Sequence, residues 1–339
     1  MPDIKYIMRV ASGIRLRNFL HLLEIDHRKS GKNKLVLLAD IAWCAMRYGT
    51  SFNDYMIFSY WTLDHKQRDS ILTRFRSRKL FDKTYDITDI DTFDSKAKFY
   101  RTFADYLGRN TLIVEDSTPE SFSAFFEQNP IIIAKPDGGW SGKGIKKYAL
   151  GDYPTPEARG ALFQSMVDDG IGVVDEWIEQ HPDLDKLNPD TVNSLRMCTF
   201  VDGDHADMLY AVIKMGTRGH FVDNLYSGGV HCPIDPDTGQ IFYAGRDSER
   251  EFHDESPATG VPLVGFQIPY FAEAVAYVKE LAMIVPGIRF VGWDIAITPN
   301  GPVVIEGNTY PSSAFWQVPE YGPRAAGLWP YFKARVPGL

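Results

Sequence analysis

A glycine-rich stretch with two lysines and a serine is the part of the sequence whose residue types most directly suggest chemistry. Residues 135–145 read KPDGGWSGKGI, with four glycines in eleven positions. They follow an apolar run at 131–134, IIIA, which is typical of a buried strand. Glycines directly after a strand let main-chain amides approach phosphate oxygens, because glycine reaches positive φ without steric cost. The stretch therefore indicates either a phosphate-binding loop or a plain hairpin turn.

Three familiar glycine motifs do not fit this loop. A P-loop needs a glycine five positions before its Gly-Lys pair and Ser or Thr after it, whereas Gly142-Lys143 has Asp137 before it and another glycine after it. A dinucleotide-binding turn opens directly into a helix, whereas residues 145–148, IKKY, favour a second strand. A kinase loop precedes its strand lysine and an His-Arg-Asp motif, but Lys135 comes before this loop and the motif is absent. The remaining interpretation is a glycine hairpin that closes over a nucleotide, with Lys135 on the strand that leads into it.

Bound triphosphate requires Mg²⁺, and the C-terminal part of the chain offers suitable ligands. Residues 290–308, FVGWDIAITPNGPVVIEGN, are typical of a hairpin of two alternating strands around the PNG turn. Alternation places Glu306 and Asn308 on one face of the second strand, and the hairpin brings Asp294 opposite them. Two carboxylates and an amide oxygen are hard ligands that Mg²⁺ prefers. For Asp294 by itself, the alternative is a carboxylate on a strand surface.

The order of these elements resembles the ATP-grasp superfamily. Lys96 in DSKAKFY, Lys135 with its loop, DEWIEQ at 175–180 and the C-terminal hairpin carry the resemblance. Three further stretches are similar to the narrower family of sugar-transfer-associated ATP-grasp proteins: DYMIFSYWTL at 54–63, EWIEQHPDLDKLNPDTVNSLR at 176–196 and VDNLYSGGVHCPID at 222–235. The resemblance covers nearly the whole chain.

The resemblance implies roles for individual residues. Two lysines would contact the phosphates of ATP, glycines and a serine would cover them, three hinge residues would face adenine through their main chain, and one aspartate would bind ribose. The implied nucleotide-binding residues are Lys96, Lys135, Gly138, Gly139, Ser141, Gly142, Gly144, Glu176, Trp177, Ile178 and Asp183. The implied catalytic residues are Arg196 and Lys214, and the implied metal ligands are Asp294, Glu306 and Asn308.

Several of these residues have plainer alternatives. Arg196 and Lys214 lie in apolar strands, where an unpaired cation is costly, so a structural salt bridge would also explain them. Lys96 is also explained as a lysine on a helix surface. Asn224 is a separate candidate for the nucleotide site. It precedes Gly228 and Gly229, which permit close approach of the main chain, so it could bind phosphate or the carboxylate substrate, and an ordinary turn explains it equally well.

The chemistry implied by the resemblance is ligation. A small-molecule carboxylate would attack the γ-phosphate of ATP to give an acylphosphate, and an amine would then displace phosphate. The cofactors would be ATP and one or two Mg²⁺ ions, with Mn²⁺ as a substitute, and the setting would be sugar-polymer or secondary-metabolite biosynthesis. An ATP-dependent phosphotransferase for a small hydroxylated substrate is the alternative on the same fold, and a nucleotide-binding module without catalysis is a third.

Length and composition indicate a globular protein of more than one domain. The chain has 339 residues, of which 44% are apolar and 24% charged, and a single core rarely extends so far. Helical spacing dominates residues 1–90, after which strands and helices mix without strict alternation, so we predict an α+β fold. The predicted regions are a mostly helical one at 1–93, an ATP-grasp lid subdomain at 94–177 and an ATP-grasp C-terminal subdomain at 178–339.

Charge and cysteine usage bound the partners and the compartment. The net charge of −8 argues against nucleic acid as the main partner. Cys44, Cys198 and Cys232 are scattered singly, which is typical of apolar fillers in a reducing cytoplasm. The opening MPDIKYIMRV lacks the continuous apolar core of a secretory signal. We therefore expect a cytoplasmic protein, and a homodimer is compatible with the resemblance.

The N-terminal region raises the question of a membrane surface. Residues 1–37 hold eight Lys and Arg against three Asp and Glu, which fits either weak contact with an anionic membrane or a solvated basic face. The apolar segment LVLLADIAWCAM at 35–46 is interrupted by Asp40 and is too short to span a bilayer. We predict that it forms a buried helix and that the chain has no stable membrane insertion.

Overall fold

The computed structural model describes residues 16–138, 144–217, 219, 228–325 and 327–339. The chain divides into two compact units, a terminal unit of residues 1–84 with 312–339 and a central unit of residues 85–311. The predicted α+β class and the helical N-terminal region are both confirmed. The boundaries expected at 93/94 and 177/178 stay a prediction.

Helices make up the described part of the terminal unit and connect the strands of the central unit. In chain order the α-helices are α1 (Leu16–Ser30), α2 (Lys34–Tyr48), α3 (Phe52–Ile57), α4 (His65–Ser70), α5 (Arg74–Thr84), α6 (Ile90–Asp94), α7 (Lys96–Thr102), α8 (Pro119–Gln128), α9 (Pro156–Asp168), α10 (Pro182–Asp185), α11 (Phe271–Ile284) and α12 (Trp329–Arg335). Short 3₁₀ helices span Tyr60–Thr62, Ala104–Tyr106, Val114–Asp116, Leu150–Asp152, Ser313–Phe315 and Pro319–Ala325.

The strands of the central unit form two sheets. They are β1 (Thr111–Ile113), β2 (Ile131–Pro136), β3 (Lys146–Ala149), β4 (Ile171–Glu176), β5 (Leu195–Asp202), β6 (His205–Met215), β7 (Val230–Ile234), β8 (Gly245–Arg246), β9 (Phe252–His253), β10 (Phe290–Thr298) and β11 (Gly301–Asn308). A four-stranded sheet has the order β1-β4-β2-β3, and a seven-stranded sheet has the order β11-β10-β5-β6-β7-β8-β9. Every pairing within them is antiparallel.

Helix α2 of the terminal unit begins and ends where its sequence directs. The Asn33 side chain accepts a hydrogen bond from the amide of Leu35, and Gly49 ends the helix in the left-handed conformation that glycine favours. Ser51 and Asp54 then form a reciprocal capping box at the start of α3. Leu37 and Cys44 are fully buried in the core of this unit.

The predicted burial of α2 is wrong for the side of the helix that points away from this core. Leu35, Val36, Trp43 and Met46 are each more than half exposed. Apolar residues thus lie on two opposite sides of α2, and their hydrophobicity by itself does not predict which side the fold covers. Among the described residues, no helix is both long and apolar enough to cross a bilayer.

The four-stranded sheet places Lys135 near the end of β2, with one face of the sheet packed on α8 and α9. Phe122 and Phe126 of α8 share a core with Leu162 and Met166 of α9 and with apolar residues of the sheet. Strand β3 follows the glycine-rich loop and pairs with β2. The prediction of a second strand at 145–148, rather than a helix, is therefore confirmed.

The seven-stranded sheet separates an apolar face from a polar one. Leu195 and Met197 of β5 lie in the main core with Val278 of α11, and Trp293 of β10 joins them there. Because strand residues alternate between faces, Arg196 and its neighbours in register point to the opposite side. The predicted hairpin at 290–308 is confirmed as β10 and β11, which meet at Gly301, where φ is +117°.

Candidate functional site

Four neighbouring strands bring a cluster of charged side chains together on the polar face of the seven-stranded sheet. Asp294 is opposite Arg196 on one side and Glu306 on the other. Arg196 forms a two-point ion pair with Asp294, with Nε–Oδ1 at 2.6 Å and Nη2–Oδ2 at 2.9 Å. Lys214 of β6 reaches the same carboxylate at 3.2 Å. Two-point geometry of this kind fixes the carboxylate in direction as well as position.

Asn308 connects the two carboxylates of this cluster. Its Nδ2 lies 3.4 Å from Asp294 Oδ2 and 3.3 Å from Glu306 Oε1. The predicted placement of Asp294, Glu306 and Asn308 on one face follows from the register of β10 and β11. Among the described residues, no three His, Cys, Asp or Glu side chains are arranged so that they could hold a metal ion together. A metal here would therefore rely on two carboxylates and one amide.

Burial and the neighbouring charges separate the acidities of the two carboxylates. Burial by itself raises the pKa of Asp294, but the charges of Arg196 and then Lys214 outweigh it, so this pKa lies well below its usual range. The pKa of Glu306 is raised, first by burial and then by the negative charge of Asp294. Two carboxylates thus lie close together with little solvent around them. A bound divalent cation would relieve the repulsion between their negative charges.

Basic residues continue this row across the sheet. Lys214 is the register partner of His231 on β7, and His231 is the partner of Arg246 on β8. Burial, and then the charge of Arg246, lower the pKa of His231 to about 3, so its ring is neutral at physiological pH. The row therefore runs from acidic at β11 to basic at β8.

A second buried cluster surrounds Lys135 in the four-stranded sheet. Lys135 Nζ lies 2.6 Å from Asp175 Oδ2, and the Tyr100 hydroxyl donates to the same oxygen at 2.7 Å. Arg109 is 3.3 Å from the other oxygen of Asp175 and donates to Tyr100 at 2.8 Å. Two cations thus share one carboxylate. Burial alone would raise the pKa of Asp175, but Arg109 and then Lys135 outweigh it and lower that pKa.

Lys96 and the start of the glycine-rich loop are tied together by Asp137. The Asp137 carboxylate accepts hydrogen bonds from the Ser95 hydroxyl at 3.1 Å and from the Ala97 amide at 2.9 Å, at the first turn of α7. Lys96 is the first residue of that helix. Burial lowers the pKa of Lys96, the charge of Glu306 opposes that shift, and Lys135 adds to it. Lys96 is therefore within electrostatic reach of both clusters.

A cavity of about 120 Å³ opens between the two sheets of the central unit. Its polar end is formed by Lys135 and Asp175, and its apolar part includes Trp177, whose ring lies under Lys147 Nζ at 3.8 Å from the centroid. The residues that line it are Ile133, Lys135, Ile145, Asp175, Glu176, Trp177, Ile178, Thr191, Val192 and Ile305. The cavity suits a flat apolar group next to an anion.

The sequence of this region matches a known family. Residues 158–326 match the family model described as sugar-transfer associated ATP-grasp. The chain belongs to this ATP-grasp family. The resemblance predicted from the sequence is thus confirmed. Among proteins with curated descriptions, none matches the sequence.

Solved structures that are similar to this ATP-grasp chain include ligases of low sequence identity. The ATP-grasp ligase PsnB, complexed with minimal precursor, Mg and ADP, is 15% identical, with a TM-score of 0.39 over 68% of this chain and 54% of PsnB. The D-alanine-D-alanine ligase from Coxiella burnetii is 10% identical, with a TM-score of 0.39 over 65% and 48% of the two chains. The D-alanyl-alanine synthetase A from Vibrio cholerae is 13% identical, with a TM-score of 0.41 over 67% and 57%. The matched part corresponds to about half the length of each ligase.

Not every residue expected at the nucleotide site of the ATP-grasp chain lines the cavity. Asp183 is 48% exposed and pairs with Lys186 at 2.6 Å instead. The Glu176 side chain accepts hydrogen bonds from the main-chain and side-chain nitrogens of Asn110, and its own main-chain nitrogen donates to the Asn110 carbonyl. Gly138 and Gly144 flank the loop and are exposed. Gly139, Ser141, Gly142 and Asn224 lie outside the described residues.

Sequence reasoning about this ATP-grasp chain missed the partners of Lys135. Asp175 interrupts an apolar run in β4 and lies opposite Ile133, diagonal to Lys135 on the same face of the sheet. A charged residue inside an otherwise buried strand is a usable signal, because burial demands a partner. Tyr100 and Arg109 gave no such signal, since one lies on a helix and the other in a short connection.

Proposed function

We propose that this protein is an ATP- and Mg²⁺-dependent ligase that joins a carboxylate to an amine. The observation that supports the proposal most directly is the cluster of Asp294, Glu306 and Asn308 with Arg196 and Lys214 on one sheet face. It combines ligands for a hard cation with two cations that neutralise phosphate charge. Membership of the ATP-grasp family agrees with this combination.

In the proposed reaction the protein positions its substrates and stabilises charge. A carboxylate oxygen of the acceptor attacks the γ-phosphorus of ATP, the bond to the bridging oxygen breaks, and ADP leaves. The amine nitrogen then attacks the acyl carbon, phosphate leaves with the electron pair of the C–O bond, and the nitrogen loses a proton. Arg196 and Lys214 would stabilise the charge on the transferring phosphoryl group.

The donor set fits the proposed metal. Asp294, Glu306 and Asn308 would hold one or two Mg²⁺ ions, with Mn²⁺ as a substitute. Bound Mg²⁺ neutralises the charge of the β- and γ-phosphate oxygens. The raised pKa of Glu306 beside a charged Asp294 agrees with this, because it reflects repulsion between two close carboxylates that a bound cation would relieve.

The proposed nucleotide site uses both clusters. Lys96 and Lys135 would bind phosphate oxygens, and the main chain of 176–178 would bind adenine in the cavity. Lys135 would then exchange part of its contact with Asp175 for a phosphate oxygen. Gly138–Gly144 would cover the phosphates and exclude water, which would otherwise hydrolyse the acylphosphate. Asp183 would turn from Lys186 to the ribose, and Asn224 would bind phosphate or the carboxylate substrate.

The finer assignments follow the same proposal. We propose that the enzyme acts in the cytoplasm as a homodimer. Its substrates would be a small-molecule carboxylate and an amine in sugar-polymer or secondary-metabolite biosynthesis.

Release of ADP and phosphate from Mg·ATP tests the proposal, measured against a panel of carboxylates with and without hydroxylamine. A hydroxamate formed with one carboxylate is expected, because hydroxylamine traps an acylphosphate. ADP release without hydroxamate, with phosphate retained on a hydroxyl acceptor, would refute ligation in favour of phosphoryl transfer. If no carboxylate or hydroxyl acceptor gave ADP release, the result would favour the third alternative, a nucleotide-binding module without catalysis.

A further inference from the structure

The outward side of helix α2 is an apolar surface that nothing in the described terminal unit covers. Leu35, Ala39, Ala42 and Met46 follow one another at helical spacing and are all exposed, and Trp43 stands beside them. Leu35 is 74% exposed and Trp43 is 55% exposed. We call this surface, with Val36 included, the α2 outer face. The opposite side is buried through Leu37 and Cys44, so α2 has apolar residues on both sides.

Exposed cations border the α2 outer face at both ends. Arg28 and Lys29 end helix α1, Lys32 and Lys34 lie at the turn into α2, and Arg47 lies at the far end of α2. Nearby carboxylates do not offset them all. The five cations outnumber the three carboxylates of α1 and α2, which are Glu24, Asp26 and Asp40. One of these, Asp40, pairs at 2.7 Å with Arg68, which is not part of the border.

A pocket of about 310 Å³ lies beside Trp43. Arg68 in it is already held by Asp40 through two hydrogen bonds. The Tyr48 hydroxyl lies 2.5 Å from His65 Nδ1, which fixes the imidazole ring. Arg47, whose guanidinium lies 5.5 Å from the centre of the Tyr48 ring, supplies a further cation. The residues that line the pocket are Trp43, Arg47, Tyr48, Leu63, His65 and Arg68.

We propose that the α2 outer face docks on an anionic phospholipid bilayer, with the phosphate of a lipid headgroup in the pocket beside Trp43. The apolar side chains would enter the interfacial region, where tryptophan is favoured, while the bordering cations stay at the level of the headgroups. The cations decide between this occupant and a second copy of the chain. In a two-fold dimer the same basic border would face itself and be repelled, whereas an anionic bilayer attracts it.

Co-sedimentation of the full chain with vesicles tests this proposal. Binding is expected to vesicles of phosphatidylcholine with phosphatidylglycerol, to be at least about fivefold weaker to phosphatidylcholine alone, and to fall at high salt, since each basic residue near the surface contributes roughly that factor. Trp43→Glu and, separately, Leu35→Glu should each reduce binding about tenfold or more. Arg47→Glu should reduce it about fivefold or more.

Val264→Glu is the matched control, because Val264 is as exposed as Trp43, at 55%, but lies in the central unit. It should bind vesicles like the unaltered protein, and circular dichroism should show all variants folded. Equal binding by Trp43→Glu and Val264→Glu would overturn the proposal. So would binding of glycerol 3-phosphate, measured by calorimetry, by a protein that does not bind the vesicles, which would indicate a site for a small free phosphate. A dimer in light scattering that Trp43→Glu converts to a monomer, without vesicle binding, would show a second copy as the occupant.

Discussion

Replacement of Asp175 by asparagine tests the buried charge cluster in the central unit most sharply. The carboxylate is 2% exposed and holds Lys135 at 2.6 Å, Tyr100 at 2.7 Å and Arg109 at 3.3 Å. Asparagine has nearly the same shape but no charge. Asp175→Asn would therefore leave two buried cations without their counter-ion, in surroundings that have little water to replace it.

The expected loss is large because the stranded charges stay in place. Removing one partner of a buried ion pair typically costs about 3–5 kcal/mol in free energy of unfolding. For a unit of the size of residues 85–311, each kcal/mol lowers the midpoint temperature by about 2–4 °C. We therefore expect the thermal transition of Asp175→Asn to lie roughly 10 °C below that of the unaltered protein at neutral pH.

The control is a second aspartate at the same distance from a lysine. Asp183 lies 2.6 Å from Lys186, but the two side chains are 48% and 63% exposed. Solvent screens such a pair, so Asp183→Asn should cost at most about 1 kcal/mol. Differential scanning calorimetry of both variants makes the comparison. Equal and small effects would refute the idea that the buried cluster stabilises the central unit.

The pH dependence of this difference has a defined sign. Because the folded pKa of Asp175 lies below its unfolded value, its ionised form stabilises the fold above the unfolded pKa of about 4, and that contribution is lost as pH falls through the folded pKa. The gap between the unaltered protein and Asp175→Asn should therefore be full at neutral pH and shrink below about pH 4. A gap that widens in acid would contradict the assignment.

Three further substitutions address the proposed reaction. Glu306→Gln should lower ADP release at least about 100-fold with the midpoint temperature retained, since it removes a metal ligand at little change in volume; full turnover would remove Glu306 from the site. Lys135→Ala should raise the Kd of ATP, measured by calorimetry, about tenfold, and an unchanged Kd would separate it from the nucleotide. Asp137→Ala removes the acceptor of the Ser95 hydroxyl and the Ala97 amide, so it should lower the free energy of unfolding by about 1 kcal/mol and raise the KM for ATP. Asp137→Asn retains an acceptor oxygen, so both effects should be smaller. Identical effects of the two variants at Asp137 would contradict its role as an acceptor.

The parts of the fold that the sequence predicted well are those that local pattern determines. Alternating residues around a PNG turn are enough to specify the hairpin β10–β11, and with it the common face of Glu306 and Asn308. Helix ends such as that at 49–51 follow from capping chemistry within a few residues. The position of Arg196 opposite Asp294 required knowledge of which strand lies beside β10, which no local pattern contains.

The parts that the sequence did not predict depend on long-range neighbours. Arg109 lies in a connection between elements and becomes buried only because Asp175 and Tyr100 surround it. Asp183 has the residue type expected at a ribose site, but nearby Lys186 takes its carboxylate. For α2, the apolar composition predicted burial, and the side that stays exposed is fixed by where the rest of the terminal unit packs.

The span of chain that separates the paired residues also governs the order in which contacts form as the protein folds. Arg196 and Asp294 are 98 residues apart, and Arg109 donates to the carbonyl of Val304 across 195 residues. Contacts between such distant segments form late in folding, because the intervening loop must close first. During synthesis Arg196 therefore lacks Asp294 until β10 has been made, and Arg109 lacks the Val304 carbonyl until β11 has been made. A ribosome-bound chain that ends before residue 290 would lack the strand that carries the partner of Arg196, and its seven-stranded sheet would be incomplete. We expect chaperones to bind such an incompletely folded chain.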